Sequence, residues 1–458
     1  MKNSTGDRTI GFISLGCPKN QVDLELMLAR VIERGYSLTN RIENADIIVV
    51  NTCAFIGSAV DEADRNIRDA LRYRRNGRCE TLVVSGCLPQ YLKDQAGVKY
   101  PEVDAFITPD EVLRLDEVID RLQSRDVERV VVDENVRPPI FLYDDSMPRR
   151  LSTPPGMAYV KIAEGCSHRC SFCIIPQIRG RFRSRPIESI VREIEGLIGQ
   201  GIREIVLISQ DSTQYGRDLR DGTTNLASLY SRILRINGDF WVRTMYLYPN
   251  SGIESLLELV ASHQERLLPY FDLPIQHINT ELLRAMGRTG GKHDIMRCLK
   301  RIRRVVPGAV IRTNLIVGFP GETDAHFEEL KEFVCEGRID RLGVFAFSNH
   351  PGIPAYQVTE AISEREKLAR RDALMRIQQE VTLRRNAELI GKTIRILIQD
   401  RRKVEGTNYV YVGRSYRDAH EIDGVVRARS KLRRTAGDFA NVLVTKTDVY
   451  DLEATFLD

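Results

Sequence analysis

Three cysteines in the middle of the chain stand at a spacing that suits a metal cluster. The segment Cys166-Ser-His-Arg-Cys170-Ser-Phe-Cys173 has a C-x3-C-x2-C pattern and directly follows a strand-like run, AYVKIAE (158–164). Iron–sulfur clusters normally take four thiolates, so three thiolates on a four-iron cluster would leave one iron open. Such an iron could chelate S-adenosylmethionine, and electron transfer to it could release a 5′-deoxyadenosyl radical that attacks unactivated C–H bonds.

A zinc site and ordinary buried cysteines are the alternatives for this segment. Zinc would require a fourth ligand, and His168 stands too close to the cysteines in the loop to complete the same tetrahedron. The spacing therefore favours a cluster, with Cys166, Cys170 and Cys173 as its catalytic ligands.

Three further cysteines each end a predicted parallel strand in the amino-terminal part. Cys17, Cys53 and Cys87 close the runs SLGC, VNTC and VSGC, separated by 36 and 34 residues, about one β/α unit each. Ligand sites in open α/β sheets form at the carboxyl ends of the strands, so these thiols are expected to converge on a second cluster. Gly16 and Gly86 would let a bulky cluster approach the backbone. Because cysteine is a common buried residue, geometry alone leaves chance placement equally open. We interpret Cys79, Cys298 and Cys335 as incidental.

The elements that must position these cysteines predict an α/β protein of three folded parts. Residues 8–125 alternate strands and helices as an open parallel sheet, and residues 126–151 are a proline-rich linker. Residues 152–385 carry six β/α units, too few for a closed eight-fold barrel, and predict a partial (β/α)6 barrel. Residues 386–458 contain short strands and turns that predict a small antiparallel β-barrel.

The composition indicates a cytoplasmic protein. The chain has 458 residues with 42% hydrophobic and 28% charged residues, a net charge of +4 and nine cysteines. Neither a signal peptide nor an apolar run of membrane-spanning length is visible, so no membrane association is expected. In a reducing compartment the cysteines indicate metal ligands or buried thiols rather than disulfides.

Three further side chains are candidates for binding S-adenosylmethionine. Gln210 and Asp211 end the second barrel strand, where they could bind the ribose or amino group; a helix cap is the alternative. Arg312 lies within the fifth barrel strand and could hold the carboxylate, with a structural ion pair equally open.

The chain resembles the methylthiotransferase family of radical S-adenosylmethionine enzymes over nearly its whole length. The resemblance rests on segments in all three parts: GCPKN (16–20), NTC (51–53), SGC (85–87), EGCSHRCSFCIIPQIRGRFRSRP (164–186), SQDSTQYG (209–216), DLPIQH (272–277) and NLIVGFPGET (314–323). The final 70 residues are similar to the family's TRAM domain. The resemblance implies two [4Fe–4S] clusters, S-adenosylmethionine as source of both radical and methyl group, and an open iron at Cys17, Cys53 and Cys87 that carries the sulfur.

The resemblance also bears on the substrate. Pro18-Lys19 and the segment RSYRDAHEIDGVV (414–426) are most similar to the type that modifies the β-carbon of an aspartate in the twelfth small-subunit ribosomal protein. The alternatives are a tRNA adenosine methylthiotransferase and a non-catalytic iron–sulfur RNA-binding protein. The expected partners are the ribosomal protein, a low-potential electron donor such as flavodoxin or ferredoxin, and RNA as a further contact. The terminal barrel is expected to dock the substrate loop over the barrel mouth, with Glu421 and Asp423 facing that loop.

Overall fold

The amino-terminal part is a five-stranded parallel sheet with helices between its strands. The computed structural model describes residues 8–357, 362–403 and 409–457. The sheet order is β2-β1-β3-β4-β5, and short runs of Val and Ile make β3 and β4 completely buried. The three predicted strands are confirmed; the two edge strands are three residues long, too short to show a period. The elements are β1 Thr9–Ser14, α1 Pro18–Glu33, β2 Ser37–Thr39, β3 Ile47–Thr52, α2 Gly57–Asn76, β4 Thr81–Gly86, α3 Cys87–Leu92, α4 Gln95–Lys99, β5 Ala105–Ile107 and α5 Leu115–Gln123.

The central part is an arc of six parallel strands with helices packed outside it. Strands β6, β9 and β10 form one sheet and β11, β12 and β13 another, joined by hydrogen bonds from Leu268 N–H to Val242 C=O and from Leu247 N–H to Asp272 C=O. The predicted incomplete barrel is confirmed. Its elements are β6 Met157–Lys161, β7 Ala163–Glu164, α6 Ile175–Ile178, β8 Arg183–Ser184, α7 Ile187–Gly199, β9 Glu204–Ile208, α8 Leu226–Ile233, β10 Trp241–Thr244, α9 Glu254–Ser262, β11 Tyr270–Asp272, α10 Thr280–Ala285, α11 Lys292–Val305, β12 Val310–Val317, α12 Asp324–Cys335, β13 Arg341–Ala346 and α13 Glu364–Ala387.

The segment predicted as a linker is irregular but firmly packed. No helix or strand element lies between Gln123 and Met157. Tyr143 is buried, and its hydroxyl donates to the carboxylate of Glu193 at 2.9 Å. The side chain of Arg149 is 7% exposed and pairs with Glu25 of α1 at 2.6 Å. The segment therefore ties α1 to the barrel. The predicted domain boundaries stay predictions.

The carboxyl-terminal part is a closed five-stranded barrel of order β14-β15-β16-β18-β17. Its strands are β14 Thr393–Lys403, β15 Tyr409–Ser415, β16 Val426–Ser430, β17 Phe439–Thr447 and β18 Leu452–Phe456. The prediction of a small barrel is confirmed, with one difference in pairing. Strands β16 and β18 run parallel, because β17, which connects them along the chain, runs antiparallel to both β14 and β18.

This barrel packs against the amino-terminal ends of the central strands, and the expectation that it covers the barrel mouth is wrong. Tyr270, the first residue of β11, donates its hydroxyl to Asp423 at 2.6 Å. Arg341, the first residue of β13, pairs with Asp418 at 3.0 Å. The segment 414–423 thus binds the terminal barrel to the central barrel at the end opposite the cysteine loop, since polar and charged groups of the two barrels pair there. Asp423 is a contact of the fold rather than a side chain that faces a partner.

Buried ion pairs lie in this contact between the terminal barrel and the central barrel. Glu204 accepts from Arg243 at 2.8 Å and also from Arg414, and all three side chains are at most 1% exposed. Burial alone would raise the pKa of Glu204, but the two guanidinium groups outweigh it and lower the pKa to about 2. The carboxylate therefore stays charged at neutral pH.

We expect Glu204→Gln to lower the free energy of unfolding by about 3–5 kcal/mol, because two buried arginines lose their counter-charge. Differential scanning calorimetry measures the change, and Glu188→Gln, at an exposed pair with Arg232, is the matched control. Since the pKa of Glu204 is lowered on folding, the wild-type advantage is full above the ordinary value of 4.5 and shrinks as the pH falls toward about 2. Equal midpoints for both variants would contradict the prediction.

No helix within the described residues is both long enough and apolar enough to cross a bilayer.

Candidate active site

The structure brings Cys17, Cys53 and Cys87 together at one edge of the amino-terminal sheet. Cys17 caps α1, Cys53 follows β3 and Cys87 opens α3 directly after β4. The Sγ atoms of Cys17 and Cys87 lie 3.8 and 3.6 Å from Oδ1 of the same residue, Asn20. Burial raises the pKa of Cys53, and the nearby thiols of Cys87 and Cys17 raise it further. Three mutually close thiols thus point at one space, as the strand-end pattern predicts.

Gly16 and Gly86 serve these loops differently from what we expected. Both have left-handed backbone, with φ of +98° and +96°. A Cβ at Gly16 would lie 2.8 Å from Cβ of Cys53, and one at Gly86 would lie 2.5 Å from the carbonyl oxygen of Thr52. Because glycine has no side chain, the cysteine loops can approach one another at these two positions. The contacts are with protein atoms and do not show that the glycines make room for a cluster.

The second set, Cys166, Cys170 and Cys173, lies on the loop after β7 at the carboxyl ends of the barrel strands. The Cys166 N–H donates to Gly180 C=O at 3.0 Å, and the Cys173 N–H donates to Cys170 C=O at 3.1 Å. Burial raises the pKa of Cys166 to about 11, and the pKa of Cys173 is raised by burial and then by the other two thiols. The loop therefore brings three thiols together, of which Cys166 and Cys170 are buried and Cys173 is half-buried.

Both sets fit iron–sulfur clusters better than single metal ions. Within residues 8–357, 362–403 and 409–457, no three Cys, His, Asp or Glu side chains stand close enough to ligate one ion. Ligands at three corners of a cluster lie farther apart than those of a tetrahedral zinc. Burial raises the pKa of Cys53, Cys87 and Cys166, and bound iron would supply the positive charge that stabilises their thiolates. His168, the zinc ligand considered above, instead contacts Asp211, with Nε2 at 2.6 Å from Oδ2.

Gln210 and Asp211 lie beside the second cysteine set, and both have protein partners, although Oε1 of Gln210 is buried with no hydrogen-bond partner among the described residues. Gln210 Nε2 donates to Glu164 at 2.5 Å. Asp211 Oδ1 accepts from the Thr213 N–H at 2.9 Å, the helix cap that the sequence left as the alternative. The ring of His168 stacks on Tyr248 with centroids 4.8 Å apart, so this side of the loop is rigidly supported.

Arg312 forms the ion pair that was the alternative to a cofactor contact. Its guanidinium donates to Asp272 at 2.6 Å, and both side chains are buried. Burial opposes the charge, but Asp272 and Tyr270 outweigh it and raise the pKa of Arg312. That Arg312 holds the carboxylate of S-adenosylmethionine stays a prediction.

A buried ionic network joins the two cysteine sets, and sequence reasoning missed it. Arg179 donates Nε to Sγ of Cys87 at 3.3 Å and a second nitrogen to Asp23 at 2.6 Å. Lys161 pairs with the same Asp23 at 2.5 Å and with Glu164 at 2.7 Å. Arg179 also lies 3.7 Å from Glu164, two residues before Cys166. Asp23, Lys161, Glu164 and Arg179 are all at most 5% exposed.

Lys19 is a second residue that sequence reasoning did not assign to the site. Its ammonium lies 3.2 Å from the centroid of the Tyr246 ring, and the side chain is buried. Burial lowers the pKa of Lys19 to about 8, against an opposite effect of Cys17 and Glu164. Lys19 lies in GCPKN and Arg179 lies in PQIRGR, and both segments belong to the motifs that carry the family resemblance. That position in the motifs was the signal in the sequence that could have assigned these two residues to the site.

Comparisons with known proteins agree with this arrangement. Residues 160–334 match the Radical SAM superfamily, residues 9–108 the Uncharacterized protein family UPF0004, and residues 390–457 the TRAM domain. The solved radical S-adenosylmethionine methyltransferase TsrM from Kitasatospora setae is similar in fold. Its TM-score is 0.57 at 17% identity, over 76% of this chain and 77% of that one.

The fold and the matched regions define a radical S-adenosylmethionine enzyme. The "Ribosomal protein uS12 methylthiotransferase RimO" of Desulforamulus reducens is 42% identical over 97% of this chain and 98% of its own. That of Heliobacterium modesticaldum is 42% identical over 98% and 95%. The chain belongs to the RimO family of methylthiotransferases, whose cofactors are S-adenosylmethionine and two [4Fe–4S] clusters.

Proposed function

We propose that this enzyme inserts a methylthio group at the β-carbon of an aspartate of ribosomal protein uS12. The observation that carries the proposal is end-to-end similarity to RimO enzymes, through the sheet, the partial barrel and the terminal barrel. The chemistry is consistent, since the β-carbon of an aspartate has no acidic hydrogen at neutral pH and general base catalysis is poor there.

We propose Cys166, Cys170 and Cys173 as ligands of the radical cluster, and Cys17, Cys53 and Cys87 as ligands of the cluster that carries sulfur. When bound, these groups supply the radical from S-adenosylmethionine and the sulfur for transfer. Three thiols in each set leave a position open for an exogenous ligand. Gln210, Asp211 and Arg312 remain candidates for orienting S-adenosylmethionine, since all three lie at the carboxyl ends of the strands or within them.

The protein's own charged side chains keep the two sets in fixed relation. Arg179 contacts a ligand of one set and pairs with Asp23, while Lys161 and Glu164 continue the network to the loop of the other set. Buried ion pairs with further hydrogen bonds are rigid, because loosening one partner leaves a charge unpaired in a dry environment. Transfer of a group between two sites requires such fixed geometry.

The partners follow from this chemistry. A low-potential protein such as flavodoxin or ferredoxin would supply the electrons, and the cytoplasm would hold both it and the ribosome. On the terminal barrel, Arg427, Arg429, Lys431 and Arg433 are exposed within seven residues. Such a basic patch supports contact with ribosomal RNA beside the protein substrate.

A parallel assay tests the substrate. Anaerobically reconstituted enzyme receives S-adenosylmethionine and reductant with either uS12 or total tRNA, and mass spectrometry follows both. We expect a methylthio mass gain on one aspartate of uS12 and none on tRNA. A gain on a tRNA adenosine alone would establish the tRNA-modifying alternative. Absence of 5′-deoxyadenosine in both reactions would indicate a non-catalytic iron–sulfur protein.

A further inference from the structure

Lys19 has a buried side chain whose ammonium pairs with no carboxylate of the described residues. The side chain is 5% exposed, and its ammonium makes no ion pair or hydrogen bond with any of the residues that the structure describes. Its close neighbour is the face of the Tyr246 ring, at 3.2 Å from the centroid. A cation–π contact offsets only part of the cost of removing an ammonium from water, so a further anion would stabilise this arrangement.

The carboxylates nearest to this ammonium are already engaged. Glu164 accepts from Lys161 at 2.7 Å and from Gln210 at 2.5 Å. Asp272 accepts from Arg312 at 2.6 Å, and its other oxygen accepts from the Tyr246 N–H at 3.0 Å. Neither carboxylate is within ion-pair distance of Lys19, and Cys17, the thiol that most favours its charge, is a proposed cluster ligand. The ammonium is therefore available to a carboxylate from outside the chain.

The position of Lys19 indicates which anion this is. It stands two residues after Cys17, on the first turn of α1, while Tyr246 follows β10 at the carboxyl end of the barrel strands. The Tyr246 backbone is left-handed, with φ of +60°, and is held by the N–H bond to Asp272 and by the Ser212 N–H bonded to its carbonyl at 2.9 Å. A strained backbone held from both sides is typical of a functional position. The ammonium thus lies where the sheet with the first cysteine set meets the barrel mouth.

We propose that Lys19 binds the side-chain carboxylate of the acidic residue that receives the methylthio group, and so selects aspartate over its amide. This inference rests on the proposed function. The carboxylate of an aspartate is one bond from the β-carbon, so holding it at Lys19 places that carbon beside the first cysteine set. The carboxylate of S-adenosylmethionine is the other available source of this chemistry, and the experiment separates the two.

The test compares Lys19→Met and Lys19→Arg with the wild-type holoenzyme on two synthetic peptides of the modified uS12 loop, one with aspartate and one with asparagine at the target position. For Lys19→Met we expect the aspartate peptide to bind about 10- to 100-fold more weakly, the range for one charge-assisted hydrogen bond. The Lys19→Met enzyme should lose the preference for the aspartate peptide over the asparagine peptide. The Lys19→Arg enzyme should keep part of this preference. Lys300→Met, at an exposed position on α11, is the matched control.

Two readouts make the outcomes decisive. Peptide affinity is measured by fluorescence anisotropy, and S-adenosylmethionine affinity by equilibrium dialysis on the same preparations, with iron content determined in each. An unchanged preference for aspartate in Lys19→Met would overturn the proposal. Lost S-adenosylmethionine binding with retained iron would assign the ammonium to the cofactor and also overturn it. If wild-type enzyme modifies uS12 and the preference persists in Lys19→Met, only this inference fails; if wild type modifies neither uS12 nor the peptide, the proposed function fails and this inference with it.

Discussion

Replacement of Cys170 by alanine is expected to reduce 5′-deoxyadenosine formation to background. Its thiol is one of three on the loop after β7, and the described residues place no spare cysteine there that could substitute for it. Loss of an outer-shell partner typically costs 10- to 100-fold in metal affinity or activity, so loss of a ligand should cost at least about 100-fold. Chromatography of the quenched reaction measures the product.

The matched control for this variant is Cys335→Ala, at an exposed free cysteine at the end of α12. It should form 5′-deoxyadenosine at the wild-type rate, because its thiol contacts neither cysteine set. Substantial 5′-deoxyadenosine from Cys170→Ala would contradict the assignment of this loop as the radical site.

Replacement of Cys53 by alanine is expected to separate the two activities. The variant should still cleave S-adenosylmethionine, since the loop with Cys166, Cys170 and Cys173 is intact, but methylthio product should fall at least about 100-fold. Bound iron should drop from about eight to about four per chain, as expected for loss of one of two four-iron clusters. Iron analysis, 5′-deoxyadenosine and peptide mass are measured on one preparation.

Cys79→Ala controls for removing a buried thiol from the same sheet. Cys79 is 5% exposed and its Sγ lies 3.3 Å from the Thr81 carbonyl oxygen, outside both cysteine sets. This variant should keep about eight irons and full product, since its thiol holds no cluster. Equal methylthio product from Cys53→Ala and wild type would refute the division of labour, and a four-iron maximum in wild type would remove the second cluster.

The buried network holds the two cysteine sets in a fixed relation to each other. Arg179 is the only described residue that both hydrogen-bonds a cysteine of the first set and pairs with Asp23, which Lys161 of the barrel also contacts. Because Asp23 lies on α1 and Lys161 ends β6, movement of the sheet against the barrel would break these pairs. Removing one partner of a buried pair is strongly destabilising, so the structure resists such movement.

The terminal barrel shows where a reasonable interpretation of the sequence was wrong. The EIDG segment suggested a surface on which Glu421 and Asp423 face the substrate. Asp423 instead accepts from Tyr270 beneath the barrel, where burial raises its pKa, whereas Glu421 is exposed and its role stays a prediction. A short acidic motif cannot by itself distinguish a recognition loop from one that seats a domain, since both place carboxylates near basic residues. Only the docked position of the two barrels separates them.

The amino-acid sequence by itself determined the contiguous cysteine loop and the features that repeat with the β/α units. The loop from Cys166 to Cys173 is contiguous, so its spacing alone brings three thiols together, and Cys17, Cys53 and Cys87 recur once per β/α unit at the ends of parallel strands. Tertiary structure alone decided the long-range charge pairs. Arg179 reaches Cys87 across 92 positions and Lys161 reaches Asp23 across 138. Charged residues are normally exposed, and their burial requires a partner that another domain supplies on docking, which no local pattern encodes.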